Sequence, residues 1–270
     1  MRKRLALVSL AVTFLALPVA AEVLFPTPLH LTRRIHDSIG NTTTVVDQYC
    51  YANRVVTVRG HLTSIADYER GELTEINRDD STYSVTRFDE VAKALGAAGP
   101  PSAAPAKSAW KVRSSGVQQV RTNRSADVFE GELEEEGVTR RTRVAVDRSV
   151  SLSKDALDIL IGAAYPSSRK AEDQVVVEAT RTRTNVSTNQ SEGTAQSRSY
   201  ALPVEQHSTY VIEGMEAEVR DTVTRVGAEL VPPDLLSIPP GAKLVESRLL
   251  QRMHAVEMLD TVARTPAPRP

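Results

Sequence analysis

The chain has 270 residues, 33 of them basic and 34 acidic, for a net charge of −1 at neutral pH. A balance this even argues against a nucleic-acid binder, which usually carries a basic face. Aromatics are only 4%, so a core must be built from Val, Leu, Ile and Ala, and the single cysteine, Cys50, excludes an intramolecular disulfide.

The first segment has the order of a secretory signal. Arg2, Lys3 and Arg4 precede the uncharged run Leu5 to Leu17, and Pro18-Val19-Ala20-Ala21 ends it with small residues. Residues 1–21 are therefore expected to be removed, leaving a periplasmic or secreted protein cut near Ala21. The apolar run is shorter than the roughly 20 residues of a membrane-spanning helix, and no cysteine stands at the cut for lipid attachment. Removal leaves 30 basic against 34 acidic residues, a net charge of −4. No later segment reaches spanning length, so no integral membrane segment is expected after cleavage.

From Glu22 to Leu95 short runs of Val, Thr, Tyr and Ile follow one another: Leu29 to Ile39, Thr42 to Cys50, Arg54 to Arg59, Leu62 to Glu69, Leu73 to Asn77 and Thr82 to Val85. Gly40-Asn41, Ala52-Asn53, Gly60, Gly71 and Asp79-Asp80 separate them as turn formers. Spacing this close predicts antiparallel hairpins rather than crossover helices. On the strand from Arg54, Val56 and Val58 are assigned the inner face, with Val55, Thr57 and Arg59 opposite. Cys50 reads as a small, half-buried strand residue. Thr86 and Asp89 are a capping pair for a helix carrying Phe88, Val91, Ala92 and Leu95.

Gly96 to Ala109 is rich in Pro and Ala and lacks any period; it either divides two domains or is an insertion in one sheet. Strand signals resume at Lys111 to Val120, Ala126 to Leu133 and Thr139 to Val146, with the acidic Glu134–Glu136 at a hairpin tip. Ser153 caps a helix with Leu157, Leu160, Ile161 and Ala164 on one side. Gln174 to Thr184 reads as a strand, and Asn185 to Ser199 as a polar loop. Met215, Ala217 and Val219 alternate with Glu216, Glu218 and Arg220, giving a half-exposed antiparallel strand with an apolar inner face. Val226, Ala228 and Leu230 resume one residue out of phase, which calls for a bulge or turn between. Val231 to Gly241 closes the sheet with a short helical turn and a proline stop. Arg248 to Val262 can form a terminal helix, and the last residues, 263–270, are a disordered tail.

No catalytic set stands out. His30, His36, His61, His207 and His254 show no metal-ligand spacing. Ser-x-x-Lys occurs at Ser108/Lys111, Ser151/Lys154 and Ser167/Lys170 without the partner motifs that give it meaning. Asp79-Asp80 is turn chemistry, since adjacent carboxylates on a tight turn diverge. Arg140, Arg141, Arg143, Arg181 and Arg183 read as solvated strand faces. No enzyme, cofactor or metal is expected.

Two stretches carry a resemblance. Asp67 to Arg78 followed by Ser81-Thr82-Tyr83-Ser84-Val85, and Val231-Pro232 through Leu235-Leu236, Ile238-Pro239 and Gly241 after the strand Tyr210 to Met215, resemble the LolA/LolB-like superfamily of outer-membrane lipoprotein carriers and sorting domains and the uncharacterised exported domains related to it. The resemblance covers the layout of residues 28–245. It implies an α+β fold of mainly antiparallel strands, an incomplete, half-open β-barrel curled around a few short helices, over one domain at 22–262 with loops at 96–109 and 185–199. It also implies a non-enzymatic periplasmic binding protein that holds a lipid or lipoprotein acyl chain on a concave sheet. The apolar alternation assigns that surface to Val56, Val58, Ile76, Tyr83, Val144, Val146, Met215 and Val219. The alternative is an envelope structural or interaction protein that binds another envelope protein and no small ligand.

Overall fold

Six strands follow one another through tight turns before the chain makes its first helix. The computed structural model describes residues 23–97, 111–119, 125–135, 138–161, 173–181, 199–212 and 214–253; the stretch 1–21 expected to be removed, the expected 96–109 loop beyond 97, the expected 185–199 loop up to 198 and residues 263–270 lie outside them. The strands are β1 (Phe25–Asp37), β2 (Thr42–Ala52), β3 (Arg54–Arg59), β4 (Leu62–Asp67), β5 (Glu72–Asn77) and β6 (Thr82–Arg87), followed by α1 (Phe88–Ala97). The predicted turn residues sit at the corners. Gly71, for one, adopts φ 66°, a value at which a side chain is strained. At the β4–β5 corner Asp67 accepts from the backbone N–H of Glu69 and Arg70 and from Arg54. Its burial opposes ionisation, but these hydrogen bonds outweigh it and hold the carboxyl below its ordinary value.

The second half holds β7 (Lys111–Gln119), β8 (Ser125–Glu135), β9 (Val138–Leu152), α2 (Lys154–Leu160), α3 (Asp173–Thr180), β10 (Tyr200–Ile212), β11 (Met215–Gly227), α4 (Pro233–Leu236) and β12 (Lys243–Leu244). All twelve strands form one sheet in the order β12-β6-β5-β4-β3-β2-β1-β11-β10-β9-β8-β7. Every pairing is antiparallel except β12 with β6. The fold is thus α+β and mainly antiparallel. It is one large open sheet, consistent with the incomplete barrel the resemblance implies, and its end strands, β12 and β7, do not pair among the described residues. The bulge expected between the two phases of β11 is present, where the β1–β11 register shifts between Thr32 and Arg33.

Ser153 caps α2 as expected, its hydroxyl accepting from the Ala156 N–H at 3.1 Å. Ala156, Leu157 and Leu160 then pack with Leu29, Leu31, Cys50 and Val55 from one half of the sheet and with Val128, Ala145, Leu202 and Val204 from the other. A second core joins Val144, Val146 and Ala201 to Val175, Val176 and Ala179 of α3. Val144, Ala145 and Val146 are consecutive and all fully buried, so β9 is covered on both faces at this point.

Three expectations need correction. Over its described part, Gln174 to Thr184 is not a strand: Asp173–Thr180 is α3, and 182–184 lie outside the described residues. The run of three valines favours a strand locally, and packing against Val144 and Val146 overrides that preference. The predicted capping pair shifts. The Thr86 hydroxyl is taken by Ser247 Oγ at 2.6 Å, and the Glu90 carboxylate accepts from the Arg87 N–H instead. On β3 the main core takes Val55, whereas Val56 is fully buried on the opposite face.

Cys50 is 1% exposed in the main core, and burial pushes its thiol up to about 12. The folded protein is expected to resist thiol reagents at mildly alkaline pH and to react fully once denatured. Rapid labelling of the native protein would contradict the packing around β1–β3.

Candidate functional site

Cross-strand pairing decides which of the eight predicted ligand residues share a surface. Ile76 pairs with Tyr83 and, across Thr63, lines up with Val58; Val56 lies on the same face of β3. Val58 in turn pairs with Asp47, and Asp47 with Thr32. Val219, by contrast, pairs with Asp37, and Val144 connects through Gln206 and Asp221 to Ile35. Asp37 and Ile35 alternate with Thr32, so Met215 and Val219 belong to the other face, while Val144 and Val146 stand five strands from β3. Val144 and Val146 are filled by α3, and Met215 stands 70% exposed beside the β10–β11 turn. Alternation within each strand is readable from sequence, but relative register between β3 and β9 is not. One surface therefore collects only half of the eight.

That half lies beneath a strap. Residues 228–242 leave β11, which neighbours β1, and rejoin the sheet at β12 beyond β6, so they cross the intervening strands. They do so on the Val56 face, because Glu229 reaches His30, and His30 pairs with Tyr49, which pairs with Val56. The strap is pinned at few points. Arg78 donates to the Asp234 carbonyl at 2.8 Å, and the N–H groups of Lys243 and Val245 bond to the carbonyls of Ser81 and Tyr83. None of the four α4 residues is buried. Below it, Val56, Ile76 and Thr63 are essentially inaccessible, and the Thr63 hydroxyl has no hydrogen-bond partner among the described residues.

The start of the strap is held by a buried imidazole. His30 stacks on Tyr49 with ring centres 4.1 Å apart and planes 11° from parallel. Its Nδ1 lies 3.2 Å from Glu229 and its Nε2 3.3 Å from Asp47, which also accepts from Thr32 at 2.7 Å. Burial, with the nearby Asp47 and Glu229 charges, raises the Tyr49 phenol above its ordinary value. The Glu229 carboxyl is held low by its own backbone N–H, by His30 and by Arg225. Two carboxylates around one imidazole form a clamp at the start of the strap.

A different surface was missed from sequence. An open groove of about 720 Å³ runs along β7–β10, lined by Lys111, Arg113, Glu130, Glu132, Arg141, Arg143 and His207 among others. Arg113 lies 3.4 Å from Glu130 and Arg141 3.7 Å from Glu132, while Arg143 reaches Glu205 at 3.1 Å and Gln118 at 2.8 Å. The available signal was the mirrored spacing of Glu130-x-Glu132 and Arg141-x-Arg143 about the hairpin tip at 136–137. Among the described residues no three His, Cys, Asp or Glu side chains converge as a metal site.

No protein-family model matches the chain, and no curated protein matches it. A solved structure of PNGF-II superposes with a TM-score of 0.36 and 8% identity over 86% of this chain; this chain spans 33% of that one. A domain from Vibrio parahaemolyticus described as an outer membrane lipoprotein-sorting protein domain superposes with a TM-score of 0.27 and 10% identity, over 77% of this chain and 89% of that one. The second is a distant neighbour of the kind the sequence motifs resemble, at a score that carries no argument about ligand or activity.

Proposed function

We propose that the chain is an exported, non-enzymatic binding protein of the bacterial envelope that holds an apolar ligand, such as a lipid or lipoprotein acyl chain, on the strap-covered face of β3–β6. The carrying observation is the convergence of Val56, Val58, Ile76 and Tyr83 under a cover made of strap rather than of a packed helix. Val56, Ile76 and Thr63 are closed over, so the ligand enters as the strap lifts, and the Thr63 hydroxyl, unpaired among the described residues, meets the polar end of a hydrocarbon ligand. The export address rests on residues 1–21, and the ligand class on the resemblance of the strap and of the β4–β6 segment to lipoprotein carriers.

The test uses the mature chain from Glu22 and a fluorescent fatty acid. Saturable binding is expected, weakened by about tenfold in Val58→Asp, because a charge set among apolar groups forfeits more than 1.4 kcal/mol. Val117→Asp, on an exposed strand remote from the strap, is expected to bind normally. No saturable binding, or equal affinity in both variants, overturns the reading. The alternative, an envelope interaction protein without a small ligand, is favoured by one observation: Leu230 and Leu244 on the strap and at β12 are 68% and 64% exposed. It predicts no fatty-acid binding at all.

A further inference from the structure

The charged groove has an order that ends at an open edge. Two rows of directly paired residues cross the sheet side by side: Arg113, Glu130, Arg143 and Lys111, Glu132, Arg141. In both, the sign alternates strand by strand, positive on β7, negative on β8, positive on β9. Opposite charges facing one another across strands stabilise the pairing and like charges oppose it, so the alternation specifies which strand lies beside which. It stops on the positive strand β7, the last in the sheet.

β7 is unlike the strand at the other end. β12 has two residues, whereas β7 has nine, from Lys111 to Gln119, and none is acidic. Lys111 and Arg113 through Gln118 are exposed, and Val117 is 69% exposed. A terminal strand of this length presents a row of backbone N–H and C=O groups with no strand beside them among the described residues. A second copy of the chain is a poor occupant. Antiparallel pairing of two β7 strands about Ser115 sets Lys111 against Gln119 and Arg113 against Val117, forming no ion pair, and parallel pairing opposes like charges.

We infer that β7 is the docking edge for an extended, acidic segment of a partner protein, added beside Lys111–Ser114 as a further strand with Asp or Glu at alternate positions. The acidic side chains meet Lys111 and Arg113 from outside as Glu132 and Glu130 meet them from inside. The bulge between Ser114 and Gly116 limits regular pairing to the first half of the strand, which is where both cations lie. Main-chain bonds supply affinity in this mode and alternate side chains supply selectivity.

The probe is a synthetic peptide alternating Glu with Val and Thr, measured by fluorescence anisotropy against the full mature chain. A peptide with Lys in place of Glu is the control. The acidic peptide is expected to bind about tenfold more tightly, two attractive cross-strand pairs replacing two repulsive ones. The Lys111→Glu/Arg113→Glu double variant is expected to reverse the preference. N-methylation of alternate backbone nitrogens, which blocks strand addition and leaves every charge in place, is expected to abolish binding. Absence of binding, equal binding of both peptides, retention of binding by the N-methylated peptide, or self-association of the protein through β7 each overturn the proposal.

Discussion

Leu157→Ala is expected to lower stability by about 3 kcal/mol, within the range of roughly 2–5 kcal/mol for emptying a fully packed leucine site. Leu157 is fully buried in α2, where residues from β1–β3 meet residues from β8–β10. The cavity would open where the two halves of the sheet share a core, with neighbours held by strands on both sides and little freedom to collapse. At roughly 2–4 °C per kcal/mol for a domain of this size, the melting temperature should fall by about 10 °C. Asp155→Ala on the exposed side of the same helix serves as control and should shift it by far less. A melting temperature within a degree of the parent for Leu157→Ala would mean that α2 does not join the two halves.

Arg33→Met should be nearly as damaging, by about 2–3 kcal/mol. The Arg33 guanidinium binds Asp221 through two nitrogens and donates through Nη1 to the Leu160 carbonyl at 2.9 Å, tying β1, β11 and the end of α2 together. Both partners are mostly withdrawn from water, with side chains 22% and 18% exposed. Removing the cation leaves the Asp221 carboxylate without its counter-charge and the helix carbonyl without its donor, which costs more than the pair itself contributes. The informative comparison is with Arg33→Met/Asp221→Leu, which should recover most of the loss because no lone charge remains. Urea midpoints for the three proteins decide the matter. A double variant as unstable as the sum of its singles would show that the pair acts only by packing.

The hairpin half of the fold was legible because its turns are chemically marked. Gly40-Asn41, Ala52-Asn53, Gly60, Gly71 and Asp79-Asp80 fall at the observed corners between β1 and β6. Ser153 and the helix after it were equally plain. What local pattern could not supply was anything set by distant partners. Val175, Val176 and Val177 favour a strand until Val144 and Val146 are placed beneath them. Val55 and Val56 are both buried, so the alternation that assigned the inner face to Val56 and Val58 could not show that the main core lies on the Val55 side. The candidate surface failed in the same way. Val58, Ile76 and Tyr83 lie on neighbouring strands joined by short turns, and they converge. Met215 and Val219 lie on β11, three pairings from β3, and fall on the opposite face; Val144 and Val146 lie on β9, five pairings away, and are covered by α3. The charged groove was visible as two mirrored motifs but was read strand by strand, when its content lies in the pairing.

β1 stands between β2 and β11, and its two ladders are formed on very different terms. The first closes across residues 38–41. The second joins residues as far apart as His30 and Gly227. Hairpins like those from β1 to β6 form in about 1–10 μs, whereas a pairing so distant in sequence is slow, since the whole intervening chain must first be brought back. During that interval β1 keeps one flank of bare main-chain donors and acceptors, the feature most prone to pair with another molecule. Synthesis from the N-terminus lengthens the interval further, because β11 is completed only after some two hundred residues have emerged. Until β11 arrives, that flank of β1 is the part of the sheet most open to wrong pairing.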